Sequence, residues 1–105
     1  VAYTLWLRPE VHAARKRLPG KIRRRVVRVI DGLRDDPRPP RSRALKLPES
    51  LDPAIVDVWE VRRLRLGRWR LVYAVSEEWL EVAVLTVEQR PPYDYDDLGD
   101  LMAEL

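Results

Sequence analysis

The sequence predicts an α+β fold: a curled antiparallel β-sheet of about four strands, two N-terminal helices packed on it, and a short acidic C-terminal helix. Three observations predict it. Apolar residues recur at helical spacing near the start of the chain, in Ile22, Val26, Val29, Ile30 and Leu33. Three β-like runs then follow one another through connections too short for anything but antiparallel neighbours. Finally, a chain of 105 residues has room for one hydrophobic core of ordinary size and not for a second domain.

In order, Tyr3, Leu5 and Leu7 alternate with Thr4, Trp6 and Arg8, the pattern of a strand, which Pro9 ends. Proline fits the first turn of a helix, so a short helix follows over 10–18, with Val11, Ala14 and Leu18 on one face and Pro19-Gly20 breaking it. The second helix starts at Lys21 and sets Lys21, Arg24, Arg25 and Arg28 opposite its apolar stripe. It stops before the proline-rich turn Asp36-Pro-Arg-Pro-Pro40. Strands are expected over 55–66, 68–76 and 79–88, joined at Gly67 and at Ser76-Glu77-Glu78. In the first of these the inward parity changes between Trp59 and Leu64, which suggests a β-bulge near Arg62-Arg63. Asp94-Tyr-Asp-Asp97 reads as a helix start, with Leu98, Leu101, Met102 and Leu105 on one face.

Composition removes most familiar chemistries. The absence of cysteine excludes disulfides, a thiolate nucleophile and Cys-ligated zinc. One histidine and three serines (Ser42, Ser50, Ser76) leave too little for a Ser/His triad or a His-rich metal site, so neither metal nor cofactor is expected. His12 reads as a surface helix residue. Apolar runs such as Val82–Leu85 are far too short to span a bilayer, which predicts a soluble cytoplasmic protein with no membrane partner. The net charge of +3 conceals an asymmetry: residues 1–75 carry 19 Lys/Arg against 8 Asp/Glu (+11), and residues 76–105 carry one cation against 9 acids (−8). Seventeen of the 20 cations are arginine, whose planar fork suits bidentate contact with phosphate.

The richest stretch runs from Trp59 to Tyr73. Period two puts Arg63 and Arg65 on one face of their strand and Leu64 and Leu66 on the other; on the next strand Arg68 and Arg70 oppose Trp69, Leu71 and Tyr73. If the hairpin joins the two arginine faces, four guanidiniums converge on a concave surface, and Arg90 ends the following strand. Mutual repulsion favours an anion or polyanion there. The competing reading is an arginine ladder paired across the sheet with Glu60, Glu81 and Glu88. Trp6, Trp59, Trp69 and Trp79 are expected to close the core, with some left to cover a partner site.

The run Arg63-Leu-Arg-Leu-Gly-Arg-Trp-Arg-Leu-Val-Tyr73, followed by Val82-Ala-Val-Leu-Thr-Val87, Arg90 and a nearby tyrosine, resembles the RelE/ParE superfamily of toxin–antitoxin toxins. Leu18-Pro19-Gly20, the Asp36-Pro37-Arg38-Pro39 turn and Leu45-Lys46-Leu47 agree in order and spacing, so the resemblance covers essentially the whole chain. It implies a RelE-like fold and a toxin held in check by a cognate antitoxin. In the RelE-like branch, it implies cleavage of mRNA in the ribosomal A site, with operator DNA bound only through the antitoxin complex. The catalytic positions then fall on Arg65, Arg70, Arg90 and Tyr93 or Tyr95, and the RNA-binding positions on Lys46, Arg62, Arg63 and Arg68. Pro91-Pro92 intervene before the tyrosines, and Glu60 and Val61 stand where some members carry a lysine. With histidine absent from the hairpin, such a site works by charge and positioning, Arg70 and Arg90 holding the scissile phosphate and a tyrosine stacking or moving a proton. Two alternatives stay open: a ParE-like inhibitor that binds DNA gyrase without chemistry, and a degenerate toxin that binds only antitoxin and operator.

Overall fold

A computed structural model describes residues 2–89, 98–103 and 105. The elements run β1 (Thr4–Leu7), α1 (Pro9–Arg17), α2 (Gly20–Leu33), β2 (Arg43–Ala44), α3 (Pro53–Val56), β3 (Glu60–Leu66), β4 (Trp69–Ser76), β5 (Glu81–Gln89) and α4 (Leu98–Met102). Pro9 at the first turn and Glu10 beside it start α1, and Arg15, Lys16 and Arg17 in its last turn complement the helix dipole. Leu18 is already extended, as the residue before Pro19 tends to be. The apolar stripe of α2 buries Val26, Ile30 and Leu33, while Lys21, Arg24, Arg25 and Arg28 face solvent as expected. Among the described residues no helix is long and apolar enough to cross a membrane.

The sheet has five strands in the order β1-β5-β4-β3-β2. It bears out the α+β class and departs from the expected sheet in two respects: the short β2 adds a fifth strand, and β1 lies parallel to β5, pairing Thr4 with Glu81 through Leu7 with Val84. Everything from α1 to β4 lies between these two strands in the chain, which meets the need of a parallel neighbour for a long connection. The expected strand over 55–66 begins only at Glu60. Asp52 accepts the Ala54 N–H at 2.9 Å and Pro53 stands at the first helical position, so 53–56 form a helical turn instead. The β3–β4 hairpin closes through Gly67 and Arg68. Gly67 has φ +63°, while Arg68 is not among the positive-φ residues, the pattern of a type II′ turn matched to the sheet's twist. Gly67→Ala should therefore cost about 1–2 kcal/mol despite open space around the added methyl, measurable by denaturant unfolding.

No bulge occurs at Arg62-Arg63. Pairing between β3 and β4 is unbroken from Glu60 with Val75 to Leu66 with Trp69. The parity change arises because both faces of the sheet are covered. Leu64, Leu66, Leu71, Tyr73, Val82 and Val84 pack under α1 and α2. On the other face Trp59, Val61, Val72, Ala74, Ala83 and Leu85 pack against Leu98, Leu101 and Met102 of α4 and against Leu45, Leu47 and Ile55. The bulge lies instead on β5: Val72 pairs with Thr86 and Tyr73 with Val84, leaving Leu85 as the extra residue.

A polar staple fixes the proline-rich turn to the sheet. The Tyr73 hydroxyl, fully buried, donates to the Pro37 carbonyl at 2.7 Å. Arg38 donates to Glu60 at 3.0 Å and to Glu77 at 2.6 Å, and the Tyr3 hydroxyl donates to Glu77 at 2.8 Å. These hydrogen bonds, from Arg38 first and Tyr3 second, hold the Glu77 carboxyl below its ordinary pKa. A carboxylate depressed by folding contributes stability above its unfolded value and loses it as pH falls through the lower folded value. Wild-type melting temperature should accordingly fall on acidification through the glutamate range, and Glu77→Gln should flatten that part of the profile. An unchanged profile would place the acid sensitivity elsewhere.

Candidate nucleic-acid interface

The β3–β4 register sets Arg65 directly opposite Arg70, and the same alternation puts Arg63, opposite Val72, on that face. It is also the face that α4 covers further along, so apolar Val61, Val72 and Ala74 give way to cations toward the hairpin turn. The bulge at Leu85 then matters for charge. Beyond it Thr86 stands opposite Val72 and Glu88 opposite Arg70; without the extra residue Arg70 would face apolar Val87. Glu88 accepts a hydrogen bond from the Thr86 hydroxyl at 2.7 Å. The row Arg65, Arg70, Glu88 thus crosses three strands, with Arg63 and Thr86 beside it. Arg70 is 8% exposed, which fixes its guanidinium far more tightly than a surface arginine's.

The expected site residues separate into groups. Arg63, Arg65 and Arg70 share the face just described. Arg68 stands in the hairpin turn, exposed, rather than within β4. Arg62 lies on the opposite side of β3, donating to the Ser42 hydroxyl at 2.9 Å and pairing with Glu60 at 3.2 Å, so it braces the β2 connection and stays outside the row. Lys46 is exposed between Leu45 and Leu47, which pack against the second core. Arg90, Tyr93 and Tyr95 lie outside the described residues, as does the expected helix start at 94–97. The ladder reading is met in part: Glu60 binds Arg38 and Arg62, while Glu88 stands beside Arg70. His12 is an exposed helix residue near Arg15. Of the tryptophans, Trp59 is buried and Trp69 packs against the first core, whereas Trp6 and Trp79 are exposed.

Sequence reasoning missed three arginines. Arg25, Arg41 and Arg43 join Arg63 and Arg65 around one cavity of about 450 Å³ at the outer edge of β3. Arg25 had the look of a solvated helix face, and the only signal in Arg41 and Arg43 was their alternation about Ser42. Their proximity to β3 comes from β2, which pairs Arg43 with Arg63.

No protein-family model matches the chain, and no curated protein matches it in sequence. Solved structures do match in fold. The chain is similar to the archaeal RelE–RelB complex from Pyrococcus horikoshii OT3, with a TM-score of 0.72, 22% identity, and 89% of this chain and 100% of that one covered. It is similar to the RelBE2 toxin–antitoxin complex from Mycobacterium tuberculosis, with a TM-score of 0.63, 24% identity and coverage of 86% and 100%. The isolated E. coli RelE toxin matches with a TM-score of 0.65, 18% identity and coverage of 94% and 96%. These matches give the RelE fold to this chain, whose mixed sheet has a parallel edge strand, two helices over one face and a short helix that partly covers the other, arginine-bearing face.

Proposed function

We propose that this chain is a RelE/ParE-superfamily toxin that cuts mRNA in the ribosomal A site without a metal and is neutralised by a cognate antitoxin. The observation that carries the proposal is the placement of Arg65 directly opposite a buried Arg70 on a sheet shared with RelE toxins. RNA cleavage requires the 2′-hydroxyl aligned with the phosphate, the pentavalent phosphate charge stabilised and the 5′-oxygen protonated. Preorganised guanidiniums serve the second need, since they do not reorganise as charge develops. Alignment of the hydroxyl comes from the ribosome-bound mRNA. Proton transfer falls to the tyrosine positions at 93 and 95, because histidine is confined to α1. Solved complexes of RelE-fold toxins with antitoxins support an antitoxin as the protein partner.

A second reading has a specific observation behind it. Where some members carry a lysine, Val61 is buried in the second core and Glu60 is tied to Arg38 and Arg62, so neither supplies a free base. That favours a toxin acting by binding alone, with DNA gyrase the target in the ParE-like branch. One experiment decides between them. The purified chain is added to a reconstituted translation reaction with mRNA ends mapped by primer extension, alongside a gyrase supercoiling assay. Codon-phased cuts with supercoiling unaffected support the ribonuclease; intact mRNA with blocked supercoiling overturns it.

A further inference from the structure

The edge cavity of β3 has a structural origin that sets it apart from the Arg65–Arg70 row. Strand β2 is only two residues long, preceded by Pro39 and Pro40, so it covers β3 at Arg62 and Arg63 and leaves the edge from Leu64 to Leu66 without a partner strand. At that gap the two faces of the sheet meet. Arg25 arrives from α2 on one face, Arg63 and Arg65 from the other, Arg41 from the turn that leads into β2, and Arg43 from β2 itself. The remaining lining residues are Pro40 and Gly67, so among the described residues no carboxylate faces the cavity. Among the described residues no ion pair joins Arg25, Arg41, Arg43 or Arg63 to an acid. By contrast Arg38 and Arg62, close by in the chain, are both paired with Glu60.

Arg25, Arg41, Arg43 and Arg63, none of them paired with a described acid, repel each other around one cavity at a cost that a counter-anion relieves. Their planar forks, converging from three elements, match the several oxygens of a phosphate better than a single carboxylate. We infer that Arg25, Arg41, Arg43, Arg63 and Arg65 form a backbone-phosphate pocket for single-stranded RNA. The pocket continues the Arg65–Arg70 row outward: β4, β3 and β2 are successive strands, so the pocket's far wall lies about 10 Å from Arg70's strand. A strand of RNA held in the pocket reaches across β3 to Arg70. The pocket reads phosphate and not base, so it supplies affinity and register without sequence preference. This inference deepens the proposed function by assigning a holding site next to the reacting one, and it rests on that reading for the identity of the polyanion.

Its test separates the two. A fluorescent 2′-O-methyl RNA oligonucleotide lacks the attacking hydroxyl, so anisotropy titrations with the purified chain report binding whether or not the chain cuts RNA. Titrations between about 50 and 200 mM salt give the slope of log affinity against log salt, with about −0.7 for each phosphate contact. Arg41→Ala/Arg43→Ala should weaken binding and make the slope shallower by about 1.4, and Arg25→Ala, on a different element, by about 0.7. Arg25, Arg41 and Arg43 are exposed, so the variants should fold, which melting curves check. The charge-matched control Lys16→Ala/Arg17→Ala, exposed on α1, should keep the wild-type slope. Equal loss in both double variants would mean diffuse attraction to a basic surface and would overturn the pocket, as would an unchanged slope in Arg41→Ala/Arg43→Ala. If the slope falls as expected but mRNA stays intact on the ribosome, the pocket stands and the ribonuclease reading fails.

Discussion

If the chain cuts mRNA as proposed, Arg70→Ala should lower ribosome-dependent cleavage by about 10²- to 10³-fold, the usual loss when one preorganised donor to a developing anionic charge is removed. The size follows from where Arg70 sits. Its strand, β4, is flanked by β3 and β5; Arg65 faces it on one side and Glu88 on the other, and only 8% of the residue reaches solvent. Its guanidinium is therefore oriented before substrate arrives, which makes it worth more than a mobile surface arginine. Arg70→Lys keeps the charge but loses the two-pronged geometry, so it should recover only part of the activity. Single-turnover primer extension gives the rate. Melting curves of the same variants separate a catalytic loss from unfolding, since Arg70→Lys should melt close to wild type while remaining slow. Wild-type cleavage by a well-folded Arg70→Ala protein would remove Arg70 from the site.

The largest effect on stability should come from Leu71→Ala. Leu71 is fully buried on the same central strand, one residue from Arg70 but on the opposite face, inside the core beneath α1 and α2. Both neighbouring strands and the helices above hold the cavity open, so the loss should be about 2–5 kcal/mol. For a domain of this size that lowers the melting temperature by at least about 8 °C. Trp79→Ala, by contrast, removes a ring that is 62% exposed in the turn before β5 and should change stability by no more than about 0.5 kcal/mol. Thermal denaturation of the two variants side by side checks the pair. Similar shifts would mean that Trp79 packs against something as firmly as Leu71 does.

Legibility in the sequence tracked the range of the interactions involved. Helix α2 could be read because its apolar spacing repeats over 14 residues and a proline-rich turn ends it. The hairpin could be read because period-two alternation on both sides of Gly67 is a local pattern, and Leu64, Leu66, Leu71 and Tyr73 all entered the core that the pattern assigns them. The supposed bulge at Arg62-Arg63 failed for a non-local reason: with helices on both faces of the sheet, Val61 and Leu64 are each buried without any break in register. The helical turn at 53–56 was hidden because β-branched Ile55 and Val56 outweighed the capping signal of Asp52-Pro53.

The sequence by itself determined the class of fold, the stripe of α2, the hairpin and the sidedness of Arg63, Arg65 and Arg70, because helical and strand periodicities depend on neighbours a few positions away. It also determined the shortage of histidine, cysteine and serine that leaves arginine as the main chemical resource. Only the tertiary structure decided which arginines meet. The extra residue at Leu85 brings Glu88, in place of Val87, opposite Arg70. The two-residue length of β2 opens an edge where Arg25 and Arg41, far apart in the chain, line one cavity with Arg65. Both outcomes depend on strand register and strand length between distant segments, which pairing energies across the whole sheet select and which no local pattern records.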